Sequence, residues 1–394
     1  MSTLAILERD NLLFENDLAK FDQQICQIIQ ESRFLVIGGG GTIGQAVTKE
    51  IFRRKAKAVH VVDLSENYLV ELVRDLRSSF GHLVEDFDTH AIDCGCSTFE
   101  DFMSIGRYDY VLNLSALKHV RSENCPFTML RMINSNIKNT LSTYDYAKKF
   151  EAKKYFCVST DKAANPANFM GATKRAMELS LMRRDLALPV VGARFANVAF
   201  SNGSLLESFR FRIEKKQPLS MPNDISRFFV TQQEAGLICL FATILGDTNE
   251  IFFPYNKNEM KLTMFTEIAK NYLFSLGKEP VFCYAEEEAR DLISKLDLSK
   301  QWPVNVFQSD TVGEKPFEEF YTSIEEIRYE KFTDLATINF YSDKSEDEIR
   351  EFLRRIDNIN LHMCSARVEF VDALKRFVPS FEHVDTNRFL NSRM

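Results

Sequence analysis

Short apolar runs alternate with longer amphipathic stretches through the first half of the chain. The runs that predict buried strands are residues 33–37, 58–63, 90–93, 110–114, 155–159 and 189–195. The stretches between them, such as residues 136–150 and 170–184, repeat apolar positions at the spacing typical of helices. Strands that alternate with helices form parallel sheets with right-handed crossovers, so we predict an α/β fold with a doubly wound parallel sheet.

Changes in this pattern divide the chain into four predicted segments. They are a helical N-terminal arm (1–31), the alternating sheet domain (32–196), a smaller mixed α/β lobe (197–331) and a helical C-terminal extension (332–394). The arm has an amphipathic pattern, which indicates that it docks on the body or on another subunit. Short helices and strands interleave irregularly in the smaller lobe, where we expect some chain crossing between the lobes.

Composition narrows the classes of protein to consider. The chain has 394 residues, of which 45% are hydrophobic and 27% are charged, as in soluble globular proteins. A formal net charge of −7 argues against nucleic acid as a partner. No apolar run approaches the roughly 20 residues that span a bilayer, and residues 1–31 lack a signal-peptide core. The eight cysteines lack paired metal-ligand spacing, so we predict a cytoplasmic protein with reduced thiols and no metal.

A glycine-rich turn joins the first predicted strand of the sheet domain to its first helix. Gly38, Gly41 and Gly44 recur at every third position. Glycine lets the backbone approach a pyrophosphate, whose charge then rests on the helix N-terminus at Thr42 and Ile43. The turn therefore predicts a Rossmann-type dinucleotide site. The alternative interpretation is a structural turn without a ligand.

Two aspartates follow later strands of the same domain. Asp63 ends the second strand, about 20 residues after the glycines, where a carboxylate accepts hydrogen bonds from ribose hydroxyls. Such a carboxylate repels a 2′-phosphate, which favours NAD over NADP; the alternative is a surface aspartate. Asp93 ends the third predicted strand and either binds the adenine amine or is a simple turn residue.

Residues 158–174 place several reactive side chains after one apolar run. Thr160, Asp161 and Lys162 bring a hydroxyl, a carboxylate and an amine to the carboxyl end of a strand. Met170 and Lys174 are four residues apart and share one face of a helix. This pair resembles the Tyr-x-x-x-Lys of short-chain dehydrogenases and reductases, with methionine in place of tyrosine. The whole stretch closely resembles the UDP-N-acetylglucosamine 4,6-dehydratases of bacterial surface-sugar biosynthesis.

The resemblance implies a role for each of these side chains. In that family a lysine at the position of Lys162 is the base at carbon 5 of the sugar, and an acid at Asp161 protonates the departing 6-hydroxyl. Thr160 is then expected to bind the 4-hydroxyl, and Lys174 the nicotinamide ribose. Met170 cannot carry a proton, so the acceptor of the 4-hydroxyl proton is left open, with Asp161 acting through Thr160 as the first hypothesis. The alternatives are that residues 160–162 only form a turn and that Lys174 is an ordinary surface lysine.

The similarity extends from residue 33 to about residue 321. The other residues that it assigns are Ser115 beside the cofactor, Lys118 and His119 in a loop over the sugar that also contains Glu123, Asn136 as a structural or relay residue, Asn197 and Ser204 near the phosphates, Arg227 on the diphosphate, and Glu314 near the uridine. The family has an arginine just before its Gly-Glu-Lys motif, whereas Thr311 and Val312 stand there in this chain. How the uridine end is held is therefore open.

The predicted function is that of an NAD-dependent UDP-N-acetylglucosamine 4,6-dehydratase. Many relatives have a long membrane-spanning N-terminal region, and the short arm of this chain resembles the soluble branch. The family also implies a homo-oligomer. Two alternatives remain, a UDP-sugar 4-epimerase on the same scaffold and a non-catalytic nucleotide-binding Rossmann protein.

Overall fold

The computed structural model describes residues 2–119, 123–255, 260–309 and 315–383. The strands are β1 (Arg33–Ile37), β2 (Ala58–Asp63), β3 (Asp86–Ala91), β4 (Tyr110–Asn113), β5 (Lys154–Thr160), β6 (Val190–Phe195), β7 (Asn197–Val198), β8 (Leu219–Pro222), β9 (Ser226–Arg227), β10 (Phe229–Val230), β11 (Glu250–Pro254), β12 (Thr263–Met264), β13 (Glu279–Cys283), β14 (Gln301–Phe307), β15 (Glu326–Arg328) and β16 (Leu335–Asn339).

The helices belong to both lobes and to the two ends of the described chain. They are α1 (Thr3–Ile6), α2 (Glu15–Gln30), α3 (Thr42–Arg53), α4 (Glu66–Phe80), α5 (Thr98–Gly106), α6 (Pro126–Ile133), α7 (Asn139–Lys149), α8 (Phe169–Leu181), α9 (Leu205–Glu214), α10 (Gln232–Leu245), α11 (Phe265–Ser275), α12 (Glu286–Lys295), α13 (Glu346–Asp357) and α14 (Ala366–Phe377). A π-helical turn, Asn134–Lys138, joins α6 to α7, and a 3-10 turn, Asp161–Ala163, follows β5.

The main sheet has the strand order of a Rossmann fold. Within the described residues its order is β15-β16-β11-β6-β5-β4-β1-β2-β3. Neighbouring strands from β3 to β11 run parallel, and β16 and β15 are added antiparallel at one edge. The order reverses between β1 and β4, which is where such folds bind ligands at the strands' carboxyl ends. The predicted α/β, Rossmann-type, doubly wound sheet is confirmed.

Burial explains which strands the apolar pattern predicted well. Every residue of β6 is buried, and so are four of the five residues of β1, because helices cover both faces of the sheet. The edge strand β3 is partly exposed along its length, and it spans residues 86–91 rather than the predicted 90–93. An edge strand needs no continuous apolar run, which is why its start was missed.

The smaller lobe has its own sheet and core. Strands β13, β14 and β8 form a parallel three-stranded sheet that packs with α9 and α11. The chain also returns to the main sheet between residues 197 and 331, since α10 packs on α3 and β11 pairs with β6. The segment 197–331 therefore contributes to both the smaller lobe and the main sheet.

Both ends of the described chain pack on the body. In the N-terminal arm, Arg9 makes a two-pronged salt bridge to Glu234 at the start of α10, with distances of 2.8 and 2.9 Å. The C-terminal segment differs from its prediction, because residues 335–339 form a strand of the main sheet before the helices α13 and α14 begin. Among the helices of the described residues, none is both long enough and apolar enough to cross a bilayer.

Candidate active site

The glycine turn after β1 is packed too closely for side chains. Gly38 has a φ of +75°, and a Cβ atom there would lie 2.6 Å from the Ser115 nitrogen. A Cβ on Gly44 would lie 2.3 Å from the Gly38 carbonyl oxygen. Gly41 has more room and caps α3, so no side chain bonds the first N–H groups of the helix, at Thr42 and Ile43. The turn thus presents an uncapped helix N-terminus that suits an anion.

Asp63 is fixed against this turn. One carboxylate oxygen accepts a hydrogen bond from the Gly40 N–H at 2.9 Å, and the other accepts one from the Ser65 N–H at 2.8 Å. Each carboxylate oxygen can accept a further bond, so ribose hydroxyls can still be bound. The Thr42 hydroxyl oxygen accepts the Asn202 N–H at 2.9 Å, which ties the start of α3 to the smaller lobe.

Asp93 and Ser115 lie in the loops after β3 and β4. Asp93 is exposed, and its carboxylate accepts the Gly95 N–H at 2.8 Å, as a turn residue does. The N–H and hydroxyl of Ser115 both donate to the Asn113 side-chain oxygen, at 3.0 and 2.6 Å. Ser115 lies beside Gly38, since a Cβ atom on that glycine would lie 2.6 Å from the Ser115 nitrogen. Contact between Asp93 and an adenine stays a prediction.

Thr160, Asp161 and Lys162 form one hydrogen-bonded group at the carboxyl end of β5. A single oxygen of Asp161, Oδ1, accepts the Thr160 hydroxyl at 2.8 Å, the Lys162 N–H at 2.8 Å and the Lys162 Nζ at 3.0 Å. The Asp161 side chain is 5% exposed and that of Lys162 is 19% exposed. The sequence places these residues together because the strand ends at Thr160 and a 3-10 turn starts at once.

Met170 and Lys174 lie buried in α8, next to this group. The Lys174 Nζ donates to the Val158 carbonyl oxygen at 3.0 Å, so the lysine reaches the main chain of β5. Burial lowers the pKa of Lys174 to about 8. The Met170 N–H donates at 3.0 Å to the carboxylate of Glu123, which is 3% exposed.

The loop after β4 is held by one asparagine. The Asn136 side chain accepts the Leu117 N–H at 2.9 Å and donates to the Leu117 carbonyl at 3.0 Å and to the Thr173 hydroxyl at 2.9 Å. The following residues reach the smaller lobe. Lys118 Nζ donates to the Ser201 hydroxyl at 3.3 Å, and a Cβ on Gly203 would lie 2.7 Å from the His119 ring. Lys118 and His119 thus line the junction between the lobes.

Short strands and a helix cap of the smaller lobe place the other residues that were predicted to bind the substrate. Asn197 starts β7 and pairs with Phe229, while the Ser204 hydroxyl caps α9 by accepting the Glu207 N–H at 3.1 Å. The buried Arg227 donates from Nη1 to the carbonyl oxygens of Lys315 and Pro316, at 2.9 and 3.2 Å. Glu314 lies outside the described residues. Direct contact of these side chains with a substrate stays a prediction.

One acidic residue close to Lys162 was missed by sequence reasoning. Glu318 Oε1 lies 3.9 Å from Lys162 Nζ, and both side chains are largely buried. It comes from a loop far along the chain, and nothing in its neighbouring sequence indicates where it packs. Its position close behind the Gly-Glu-Lys motif was the only available signal.

A buried ion network supports the base of the site. Arg194 is fully buried and donates to Glu178 at 2.8 and 2.9 Å and to Glu325 at 2.8 Å. The Ser159 hydroxyl, one residue before Thr160, donates to the same Glu178 at 2.6 Å. The network joins β5, β6, α8 and the 320–325 loop. Across the described parts of the chain, no group of three or more His, Cys, Asp or Glu side chains is arranged to hold a metal.

Residues 34–339 match the family described as polysaccharide biosynthesis protein. The matched range includes the glycine turn, residues 160–162 and the smaller lobe. The chain belongs to this family.

Individual relatives agree with this assignment. An uncharacterized membrane protein of Methanocaldococcus jannaschii is 32% identical over 242 residues, which are 58% of this chain and 68% of that protein. Capsular polysaccharide biosynthesis protein CapD of Staphylococcus aureus is 28% identical over 284 residues, or 71% of this chain. The match spans only 46% of CapD. The structure of Pen from Bacillus thuringiensis shares the fold, with a TM-score of 0.63, 21% identity and coverage of 83% of this chain and 98% of Pen.

Proposed function

We propose that this protein is an NAD-dependent 4,6-dehydratase of the nucleotide sugar UDP-N-acetylglucosamine. The observation that carries the proposal is the bonded group of Thr160, Asp161 and Lys162, which joins a hydroxyl, a carboxylate and an amine at one end of β5. Membership of a polysaccharide biosynthesis family supports a sugar substrate. The product would be a 4-keto-6-deoxy sugar that later enzymes aminate or reduce.

The residues of the glycine turn fit NAD. Gly38 leaves no room for a side chain next to Ser115, and the N-terminus of α3 is uncapped at Gly41, which suits a pyrophosphate. The Asp63 carboxylate beside the turn suits the ribose hydroxyls. Lys174 bonds the main chain of β5, which β4 separates from β1 in the sheet. NAD bound here would take up and return the hydride.

The remaining chemistry is proton transfer by the chain's own side chains. A ketone at carbon 4 makes the proton at carbon 5 acidic, and Lys162 is proposed to remove it. Asp161 is proposed to protonate the departing 6-hydroxyl. Because the Thr160 hydroxyl donates to Asp161 at 2.8 Å, a proton from the 4-hydroxyl can pass through Thr160 to that carboxylate. This route would take over the proton transfer that the tyrosine performs in short-chain dehydrogenases, since this chain has Met170 at that position.

A 4-epimerase on the same scaffold is the second candidate. An epimerase reduces the ketone from the other face and needs neither an acid nor a base for loss of water. The amine of Lys162 bonded to a buried carboxylate, together with Met170 in the tyrosine position, favours the dehydratase. A non-catalytic nucleotide-binding protein would not need this group at all. The cytoplasmic location and the homo-oligomer stay predictions.

Proton NMR of a mixture of the purified protein and UDP-N-acetylglucosamine tests the proposal. A dehydratase gives a new sugar methyl doublet, an epimerase gives the 4-epimer without a methyl signal, and a binding protein leaves the sugar unchanged. Lys162→Met should abolish the methyl signal but allow bound NADH to form. Lys153→Met, at a lysine whose side chain is 63% exposed, is the matched control and should retain the doublet.

A further inference from the structure

The C-terminal helix α14 and the residues after it contact two segments that adjoin the start of α8. In α14, Arg367 donates from Nε to the main-chain carbonyl oxygen of Glu123 at 3.2 Å. Beyond the helix, the Glu382 N–H donates to the carbonyl oxygen of Pro166 at 3.1 Å. Both donors lie beyond the range 34–339 that matches the polysaccharide biosynthesis family. An element outside the family range therefore reaches the surroundings of the start of α8.

Glu123 connects the first of these contacts to α8. Its side-chain Oε1 accepts the Met170 N–H at 3.0 Å, and the residue is 3% exposed. The first N–H groups of a helix have no partner within the helix, and Glu123 supplies one here. Burial raises the pKa of Glu123 to about 7, while the N–H groups of Met170 and Phe169 and the charge of Arg367 act in the opposite direction. The guanidinium of Arg367 therefore acts on both the main chain and the side chain of Glu123.

Residues 164–168 join the 3-10 turn after β5 to the start of α8, and they are bonded from two directions. On one side, the Lys315 Nζ donates to the Asn165 carbonyl oxygen at 2.6 Å. On the other side, the Glu382 N–H donates to the carbonyl oxygen of the next residue, Pro166. The connection is short, so its course sets the separation between the 3-10 turn and α8.

We infer that Arg367 is a positioning residue of the active site, which acts through Glu123 on the start of α8. This helix carries Lys174, and the 3-10 turn before it carries Lys162, so the separation of the two amines depends on how the start of α8 is held. The proposed sites for the nucleotides lie elsewhere, in the glycine turn and the smaller lobe. Loss of the Arg367 bond should therefore slow the chemical step and leave substrate binding nearly unchanged. This role rests on the proposed function.

Steady-state kinetics of product formation test the role of Arg367. In Arg367→Met the rate at saturating UDP-N-acetylglucosamine, measured per NAD-loaded protein, should fall at least about fivefold, while KM stays within about twofold of the wild type. Arg367→Lys keeps a cationic donor and should restore part of the rate. Arg376→Met, at an exposed arginine of the same helix, is the matched control and should follow the wild type. An unchanged rate in Arg367→Met, or a loss that Arg376→Met shares, overturns the inference.

Amide hydrogen exchange needs no substrate and therefore separates this inference from the proposed function. In Arg367→Met, peptides that cover residues 164–172 should exchange at least about threefold faster than in the wild type and in Arg376→Met, because the start of α8 opens more often. Peptides from β6 should exchange alike in all three proteins, which shows that the variants are folded. A wild type that gives no methyl product contradicts the proposed function alone. Equal exchange of residues 164–172 in all three proteins overturns the role of Arg367, whatever the substrate is.

Discussion

Two buried glutamates of this chain show how surroundings set an acid's pKa. Burial raises the pKa of Glu123 to about 7, and the main-chain N–H groups of Met170 and Phe169 offset it only in part. Burial also acts on Glu325, but hydrogen bonds and charge from Arg194, with Arg175, outweigh it and lower that pKa to about 2. One glutamate is therefore largely neutral below pH 7, and the other is already an anion well below neutral pH.

Glu123 should make stability depend on pH between about 4 and 7. The unfolded chain releases this proton near the ordinary glutamate pKa of about 4.3, whereas the folded protein keeps it up to about 7. The free energy of unfolding should therefore fall as the pH rises through this window, by at most about 4 kcal/mol. Urea unfolding between pH 4 and 8 checks this. Glu123→Gln should lose this part of the slope, and Glu319→Gln should keep it.

Lys174 is predicted to lower the free energy of unfolding while it helps to retain NAD. Burial lowers its pKa to about 8, so at pH 7 the folded protein holds a charge that burial disfavours. Lys174→Met removes that cost and loses the bond to the Val158 carbonyl, so the free energy of unfolding should rise by about 2 kcal/mol at pH 7. Chemical denaturation of the cofactor-free protein measures this. NAD retention should fall in the same variant, and a loss of stability would contradict the account.

At the scale of elements, the π-helical turn Asn134–Lys138 ties helix α8 to the loop after β4. Its Asn136 makes three hydrogen bonds, two to Leu117 and one to Thr173 of α8. Asn136→Ala leaves buried polar groups without partners and should lower the free energy of unfolding by about 2 kcal/mol. Asn134→Ala in the same turn is the control, because the Asn134 side-chain oxygen is buried without a partner already. Equal losses in urea unfolding would exclude a specific role for Asn136.

The elements also show what the sequence could predict. Strands such as β1 and β6 are buried on both faces, so their apolar runs identified them. The strand at residues 335–339 was missed because its antiparallel pairing with β11 depends on a distant partner. The proximity of Thr160 and Lys162 could be predicted because the two residues are neighbours in the sequence. The position of Glu318 could not be predicted, because it lies in a loop that is distant in the sequence and only tertiary contacts bring it close to the Lys162 amine.

At the scale of the whole molecule, both ends of the described part of the chain pack on the folded body. Helices α13 and α14 form a cluster with α6 and α8, in which Phe370 packs edge-on against Phe169 at 6.5 Å. Helix α8, which carries Met170 and Lys174, therefore packs against the C-terminal segment. At the other end, Asp17 is fully buried and accepts the main-chain N–H groups of Thr333 and Asp334, at 2.7 and 2.8 Å. The two terminal regions thus join elements that are distant in sequence.

The salt bridge between Arg9 and Glu234 should be the strongest test of the N-terminal docking. Both side chains are buried, at 5% and 0% exposure, and Glu234 also accepts the main-chain N–H groups of Leu13 and Thr231. Arg9→Met leaves this charge without its cation, so urea unfolding should show a loss of about 3 kcal/mol. Arg210→Met removes an arginine from a pair that is more than half exposed and should cost less than about 1 kcal/mol. Adding Glu234→Gln to Arg9→Met should recover part of the loss, because the unpaired charge is then gone. A loss no greater than that of Arg210→Met would mean that the arm contributes little to the fold.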